Sequence, residues 1–331
     1  MKVILDAFGG DNSPLEVIKG AYQAVCKDPS IEVILCGNRE IIEKVISENG
    51  LSHKSFSVKH CTEKIEGDDD PIKAVKTKKD SSIIVGLNLL KEEGGDVFIS
   101  AGNTGALFTA SNLILKRIKG IKRSALAAYL PTKKGPKLIL DAGANVTLSA
   151  EYLNQLAMMG STYIEADKGI KKPSVGLINI GAEATKGTEA LVEAYKIMSE
   201  NPEINFKGNC EPRYILDGEF DVLVCDGFTG NIVIKTIEGV SKTLMSGIKG
   251  VMYKSLLTKI CALGLKKGMY EFKKQFDYKE YGGTPIIGLK KPVIKAHGSS
   301  DAKAFMNAIL TSRSYVKSDI IAGIERKMNV E

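Results

Sequence analysis

Apolar residues recur along this chain in two rhythms. Short β-branched runs predict strands over Val3–Asp6, Glu32–Leu35, Asp96–Ser100, Leu138–Asp141, Val175–Ile180 and Val222–Cys225. Several, such as VGLINI and KLILDA, are almost unbroken apolar stretches, as expected of parallel strands buried on both faces. Between them, apolar positions spaced three and four apart predict helices over Leu15–Cys26, Glu40–Ser47, Ser82–Glu92, Gly105–Ile118, Ala150–Ile164, Thr188–Ser199 and Asn231–Leu244. Strand and helix alternating in this way predict a three-layer α/β/α sandwich with a mostly parallel sheet. Ligands are then expected at the carboxyl ends of the strands. No internal repeat or low-complexity linker marks a boundary, so residues 1–331 read as a single α/β/α domain.

One stretch departs from that rhythm. Gly239–Tyr270 contains no Asp or Glu but six lysines, with Leu244, Ile248, Val251, Met252, Leu256, Ile260 and Leu263 near helical spacing. It reads as a basic amphipathic helical segment at about 239–276. Such a helix packs on its own domain, joins a dimer mate, or lies on an anionic membrane surface.

Composition narrows the classes. With 44% hydrophobic and 26% charged residues, the chain can bury a sizeable core without disulfide or metal. Six cysteines form no C-x-x-C pair and there are only three histidines, which argues against a zinc site and for reduced thiols in the cytoplasm. Asp6, Asp11 and Glu16 speak against a signal peptide, and no apolar run reaches the roughly 18 residues of a spanning helix. The net charge of +7 mildly favours an acidic partner. Nucleic acid is disfavoured, because Arg-rich tracts, Trp and helix-turn-helix or RNP patterns are absent.

The candidate chemistry lies in five turns at strand ends: DAFGGD (6–11), SAGNTGAL (100–107), DAGANV (141–146), IGAEATKG (180–187) and CDGFTGN (225–231). One glycine-rich turn is an ordinary strand ending. Five, nearly all handing over to a helix, suggest backbone N–H groups gathered around an anion, phosphate above all. The familiar alternatives fail: Lys186 precedes Gly187, against the order of a Walker A loop, and no G-x-G-x-x-G, G-x-S-x-G or H-E-x-x-H is present.

These turns, with the RIKGIKR segment (117–123) and YGGTPIIGLKKPVIKAHGSSDAKAF (281–305), resemble in order the motifs of the bacterial phosphate acyltransferase family. DAFGGD differs from that family's usual DAMGGD only by Phe8, and the loop before Lys186 is less charged, with Ala182, Ala184 and Thr185. The resemblance covers nearly the whole chain. It implies a fold similar to isopropylmalate dehydrogenases and phosphotransacetylases, a homodimer, and no cofactor. It also implies transfer of an acyl group from acyl carrier protein to inorganic phosphate. The acyl phosphate would pass to a membrane-bound glycerol-3-phosphate acyltransferase for phospholipid synthesis, with the protein cytoplasmic and peripherally membrane-associated. A short-chain phosphotransacetylase using coenzyme A and a non-catalytic acyl- or phosphate-binding regulator are the competing readings.

Such a reaction needs electrostatics more than proton transfer, because phosphate is already anionic and a thiolate leaves readily. The resemblance assigns catalysis to Lys186 and Asn231, and Asn231 also suits a helix N-cap. Gly102, Asn103, Thr104, Asn145 and His297 are candidate substrate or phosphate ligands. Asn103 and Thr104 equally suit capping, Asn145 suits loop orientation better, and His297 suits loop anchoring better than a general base, with Ser299 or Ser300 capping the helix after it. Asp6, Asp141 and Asp226 would orient loops. Ile248, Lys254, Leu256 and Lys259 would meet a membrane or the carrier.

Overall fold

Strand β1 (Lys2–Asp6) lies within an eleven-stranded sheet that organises the whole chain. The structure, a computed structural model, describes residues 1–52, 54–275 and 281–328. Its other strands are β2 (Glu32–Gly37), β3 (Phe56–His60), β4 (Val97–Ser100), β5 (Ala125–Leu130), β6 (Lys137–Leu140), β7 (Ser174–Ile178), β8 (Asn205–Cys210), β9 (Val222–Val224), β10 (Thr284–Ile287) and β11 (Val293–Lys295). The helices are α1 (Leu15–Lys27), α2 (Arg39–Glu48), α3 (Pro71–Thr77), α4 (Ser82–Lys91), α5 (Thr104–Ile114), α6 (Ala150–Lys168), α7 (Glu189–Glu200), α8 (Gly227–Met252), α9 (Leu256–Gln275), α10 (Ala302–Lys317) and α11 (Ile320–Met328).

The strand order is β3-β2-β1-β4-β11-β10-β5-β6-β9-β7-β8. The first five strands in that order are parallel, and so are the last four. Between the blocks, β10 is antiparallel to both β11 and β5, and β5 is antiparallel to β6. The two parallel blocks therefore point in opposite directions across a short antiparallel seam.

Alternation along the strands splits the core between two faces. Val3, Leu5, Val33, Leu35, Leu138 and Leu140 join α1, α2, α6, α7, α10 and α11 in one continuous apolar layer. On the other face, Ile4, Ile34 and Phe98 pack with α3, α4 and α5, while Ile139, Leu223 and Ile178 pack beneath α8. The result is the expected three-layer sandwich, with the second face covered by two separate helix groups.

Of the strands absent from the sequence reading, only β5, ALAAYL, is an unbroken apolar run. β3 and β8 are edge strands with partly exposed, polar residues, and β10 and β11 have only four and three residues. α8 begins at Gly227 and not at Asn231, because the Asp226 side chain accepts from Thr229 N and caps it. Asn231 is therefore one turn inside the helix and is not its N-cap. The helix after His297 is capped by Asp301, which accepts from Ala304 N, and not by Ser299 or Ser300. The basic segment is two helices, broken at Tyr253–Ser255; its expected end, Phe276, lies outside the described residues. Among the described residues no helix is long and apolar enough to cross a membrane.

Candidate active site

Where the seam separates the two helix groups, the second face of the sheet is open, and a cavity of about 420 Å³ lies there. Leu126 and Ala128 of β5 and Thr284 of β10 line it from the sheet. One wall is Thr104 and the segment 295–298 with Ser300; the other is Gly143 and the α8 residues Asn231, Ile234, Lys235 and Glu238.

The first wall rests on a buried carboxylate. Asp6 ends β1, and its oxygens accept from Ser100 Oγ at 2.6 Å and Phe8 N at 3.1 Å. Burial pushes the Asp6 carboxyl above its ordinary range, and those hydrogen bonds oppose the shift. Gly102 N in turn donates to Ser100 Oγ at 3.0 Å. Asn103 caps α5, accepting from Ala106 N at 3.0 Å, while its Nδ2 donates to the carbonyls of Glu66, Gly67 and Asp69. Gly102 and Asn103 thus form the framework behind Thr104, which is exposed to the cavity.

Lys295 closes β11 beside Ser100 of β4 and faces the same space. Its ammonium donates to the Ala296 carbonyl. Burial pulls its pKa down to about 8, with Asp6 and Asp11 opposing. Two residues on, His297 Nδ1 lies 2.9 Å from Ser299 Oγ, and Nε2 lies 3.2 Å from Lys235 Nζ. Burial, then the nearby Lys235 charge, lowers the His297 pKa, so the ring is neutral near pH 7. Lys235 also pairs with Glu238 at 2.8 Å.

The opposite wall is built on Asp141. Its Oδ1 accepts from Leu126 N, Gly143 N and Ala144 N at 3.0–3.1 Å, and its Oδ2 from Asn145 N and Nδ2 at 2.8 and 2.7 Å. Burial raises the Asp141 pKa while these donors hold it down, and with both oxygens accepting it stands as a carboxylate. Asn145 Nδ2 also reaches the Ser124 carbonyl at 2.8 Å, so its amide hydrogens serve the loop and not the cavity. The first turn of α8 presses on this loop. A β-carbon at Gly230 would lie 1.9 Å from the Asp141 carbonyl oxygen, which only glycine permits. Asn231 then rests over Gly143, exposed on the cavity wall, with its amide unbonded to any described residue.

Lys186 is not in that wall. It is exposed on the loop between β7 and α7, held by Asn179 Nδ2 donating to its carbonyl at 2.9 Å. β7 is the parallel neighbour of β9, which leads into α8, so Lys186 and Asn231 both lie beyond the carboxyl ends of adjacent strands. The structure thus gathers Asn231, Thr104 and His297 around the cavity with two lysines the sequence reading did not single out. Lys295 is legible in hindsight as the last residue of a buried strand; Lys235 shows only as the i+4 neighbour of Asn231. Among the described residues, no group of three or more His, Cys, Asp or Glu side chains is arranged to hold a metal ion.

The far part of α8 and all of α9 form a hairpin rich in exposed apolar side chains. Val251, Leu256, Leu257 and Leu263 are 68–77% exposed, and Ile248 is 39% exposed. Lys254 and Lys259 are also exposed.

The fatty acid synthesis protein family matches residues 1–322. The chain belongs to this family. It is 46% identical over 328 residues to the phosphate acyltransferase of Clostridium botulinum (strain Loch Maree, type A3), covering 99% of this chain and 98% of the relative. It is 45% identical over 324 residues to the phosphate acyltransferase of Alkaliphilus oremlandii, covering 98% and 96%. Alike to such family members from end to end, the chain is an acyltransferase. Among solved structures, a phosphotransacetylase from Streptococcus pyogenes superposes with a TM-score of 0.62 at 18% identity, covering 99% of this chain and 94% of that one. The EutD phosphotransacetylase of Staphylococcus aureus gives 0.61 at 17%, covering 96% and 94%. At that identity the likeness speaks for the fold alone.

Proposed function

We propose that this chain transfers an acyl group from the thioester of acyl carrier protein to inorganic phosphate, giving acyl phosphate and the free carrier thiol. The observation that carries this reading is the make-up of the seam cavity. Lys235, Lys295 and His297 supply a basic wall for an anion, and Leu126, Ala128, Ile234 and Tyr281 supply apolar surface for an acyl chain. Asn231 offers a neutral, unbonded amide one helical turn before Lys235 and across from Lys295 and His297.

In this reading phosphate sits against the basic wall, desolvated enough for the lysines to hold it firmly. A phosphate oxygen attacks the thioester carbonyl, the C–S bond breaks, and the sulfur leaves as thiolate to be protonated by water. Asn231 Nδ2 donates to the oxyanion that forms on the way, and Lys186 supplies positive charge from beyond the carboxyl end of the neighbouring strand. Thr104 adds a hydroxyl to the phosphate. Asp6, Asp141, Asp226, Gly102, Asn103 and Asn145 hold the loops that aim these groups.

The exposed apolar face of α8–α9, flanked by lysines, suits an anionic membrane surface. From there acyl phosphate, a poorly soluble product, reaches a membrane-bound glycerol-3-phosphate acyltransferase and enters phospholipid synthesis. A homodimer that covers part of the same face is compatible with this placement.

The test is consumption of acyl carrier protein thioester by purified protein, with and without phosphate, beside acyl-coenzyme A. Phosphate-dependent turnover of the carrier thioester is expected. Turnover confined to short acyl-coenzyme A would make the chain a phosphotransacetylase of the other kind, and no turnover of either would leave a binding protein.

A further inference from the structure

We propose that the basic rim formed by residues 116–123 and 290–291 is the docking surface for the acidic protein that carries the acyl thioester. The inference rests on the reaction assigned above and adds the face at which its protein substrate binds.

These two segments hold Lys116, Arg117, Lys119, Lys122, Arg123, Lys290 and Lys291, with no acidic residue between them. Among them only Lys291 makes an ion pair with a described residue, to Glu93 at 3.4 Å. Lys122 and Arg123 instead lie over the Tyr152 ring, at 5.9 and 5.8 Å from its centroid. With only Glu93 at Lys291 and Glu151 near Lys122 opposing seven cations, the net positive charge attracts an anionic partner and speeds its approach.

The segments are tied to each other. Lys290 N donates to the Lys116 carbonyl at 3.1 Å, Ile118 N to the Gly288 carbonyl at 3.0 Å, and Arg117 pairs with Leu289 in an isolated bridge. Every aliphatic side chain of the rim faces inward, with Ile118, Ile121 and Leu289 at most 5% exposed. A surface that enters lipid needs outward apolar side chains. The rim offers fixed cations without them, which favours an acidic protein over a membrane.

Position decides what that protein brings. Ser124 follows Arg123 directly, and its carbonyl accepts Asn145 Nδ2 at 2.8 Å. Asn145 is held by Asp141, whose loop carries Gly143 against Asn231. The rim therefore adjoins the loop that borders the cavity at Asn231. A carrier seated there presents its thioester at the cavity mouth.

The experiment uses the full chain with Lys119→Glu and Lys290→Glu combined, and Arg123→Glu as a second variant. Binding of fluorescently labelled acyl carrier protein is read by anisotropy. Turnover is read with carrier thioester and with an acyl N-acetylcysteamine thioester, and melting checks the fold. Each variant is expected to weaken carrier binding and raise the KM for carrier thioester by about tenfold or more at low salt. Turnover of the small thioester should stay within about twofold, since these side chains lie outside the cavity. Carrier binding as tight as the parent's overturns the proposal, and so does equal loss on both thioesters. Unchanged carrier binding with lost binding to phosphatidylglycerol vesicles makes the rim a membrane surface instead. A parent protein that binds carrier through the rim yet forms no acyl phosphate would sink the assigned reaction and leave the docking face standing.

Discussion

Lys235 Nζ lies 3.2 Å from His297 Nε2 across the seam, joining the middle of α8 to the segment after β11. The ring is neutral, and its Nδ1 accepts from the Ser299 backbone N–H at 3.2 Å, with Ser299 Oγ 2.9 Å away. The contact closes the basic end of the cavity and ties α8 to the loop between β11 and α10.

That basic end should bind phosphate before any acyl donor arrives. Inorganic phosphate at roughly ten times its Kd is expected to stabilise the protein by about 1.4 kcal/mol. Lys295→Met should abolish the thermal shift. A Lys295→Met protein that shifts as the parent does would move the phosphate elsewhere.

The lowered pKa of Lys295 gives a pH signature. The side chain is a cation below about 8 and neutral above it, so positive charge on the wall is lost as pH rises through that value. The kcat/KM for phosphate, which reports the free enzyme, should fall above about pH 8. In Lys295→Arg, where the charge persists, the decline should move to higher pH; an unmoved profile would clear Lys295 of the role.

Asn231 and Asp226 separate chemistry from capping. Asp226 caps α8, so Asp226→Ala should cost about 1 kcal/mol of stability. Asn231 caps nothing, so Asn231→Ala should melt like the parent while turnover drops by about 10²–10³. Lys186→Ala should show the same pattern, with intact melting and severe loss of rate. Near-normal turnover in either variant would remove that residue from the reaction.

Gly230→Ala tests the packing that aims Asn231. Its new methyl would meet the Asp141 carbonyl at 1.9 Å, so α8 must shift. A loss of about 1–3 kcal/mol is expected, with turnover falling alongside it. Calorimetry and an activity assay on the same sample decide the matter.

Much of this was legible in the chain itself. The doubly buried runs VGLINI and KLILDA gave parallel strands because each face of the sheet meets apolar residues. The turns after them marked the site because short side chains and glycine let loop and helix approach closely. The antiparallel seam was not legible: β10 and β11 are too short to show a period, and half of β5, ALAAYL, is alanine, which favours strand weakly. Nor could spacing tell that Asn231 lies inside a helix, since Asp226 and Asn231 are both good caps and the structure uses the earlier one, through Thr229 N. The basic wall was missed for the same reason. Lys235 and Lys295 are distant in sequence and line one cavity only because of the seam.

The most direct measurement follows both products together: phosphorus NMR for acyl phosphate and a thiol assay for released acyl carrier protein, with the purified protein, carrier thioester and phosphate. The expected result is one acyl phosphate formed for each carrier thiol freed, and no thiol freed when phosphate is withheld. Thiol released without phosphate, or no release at all, would contradict transfer to phosphate at this cavity.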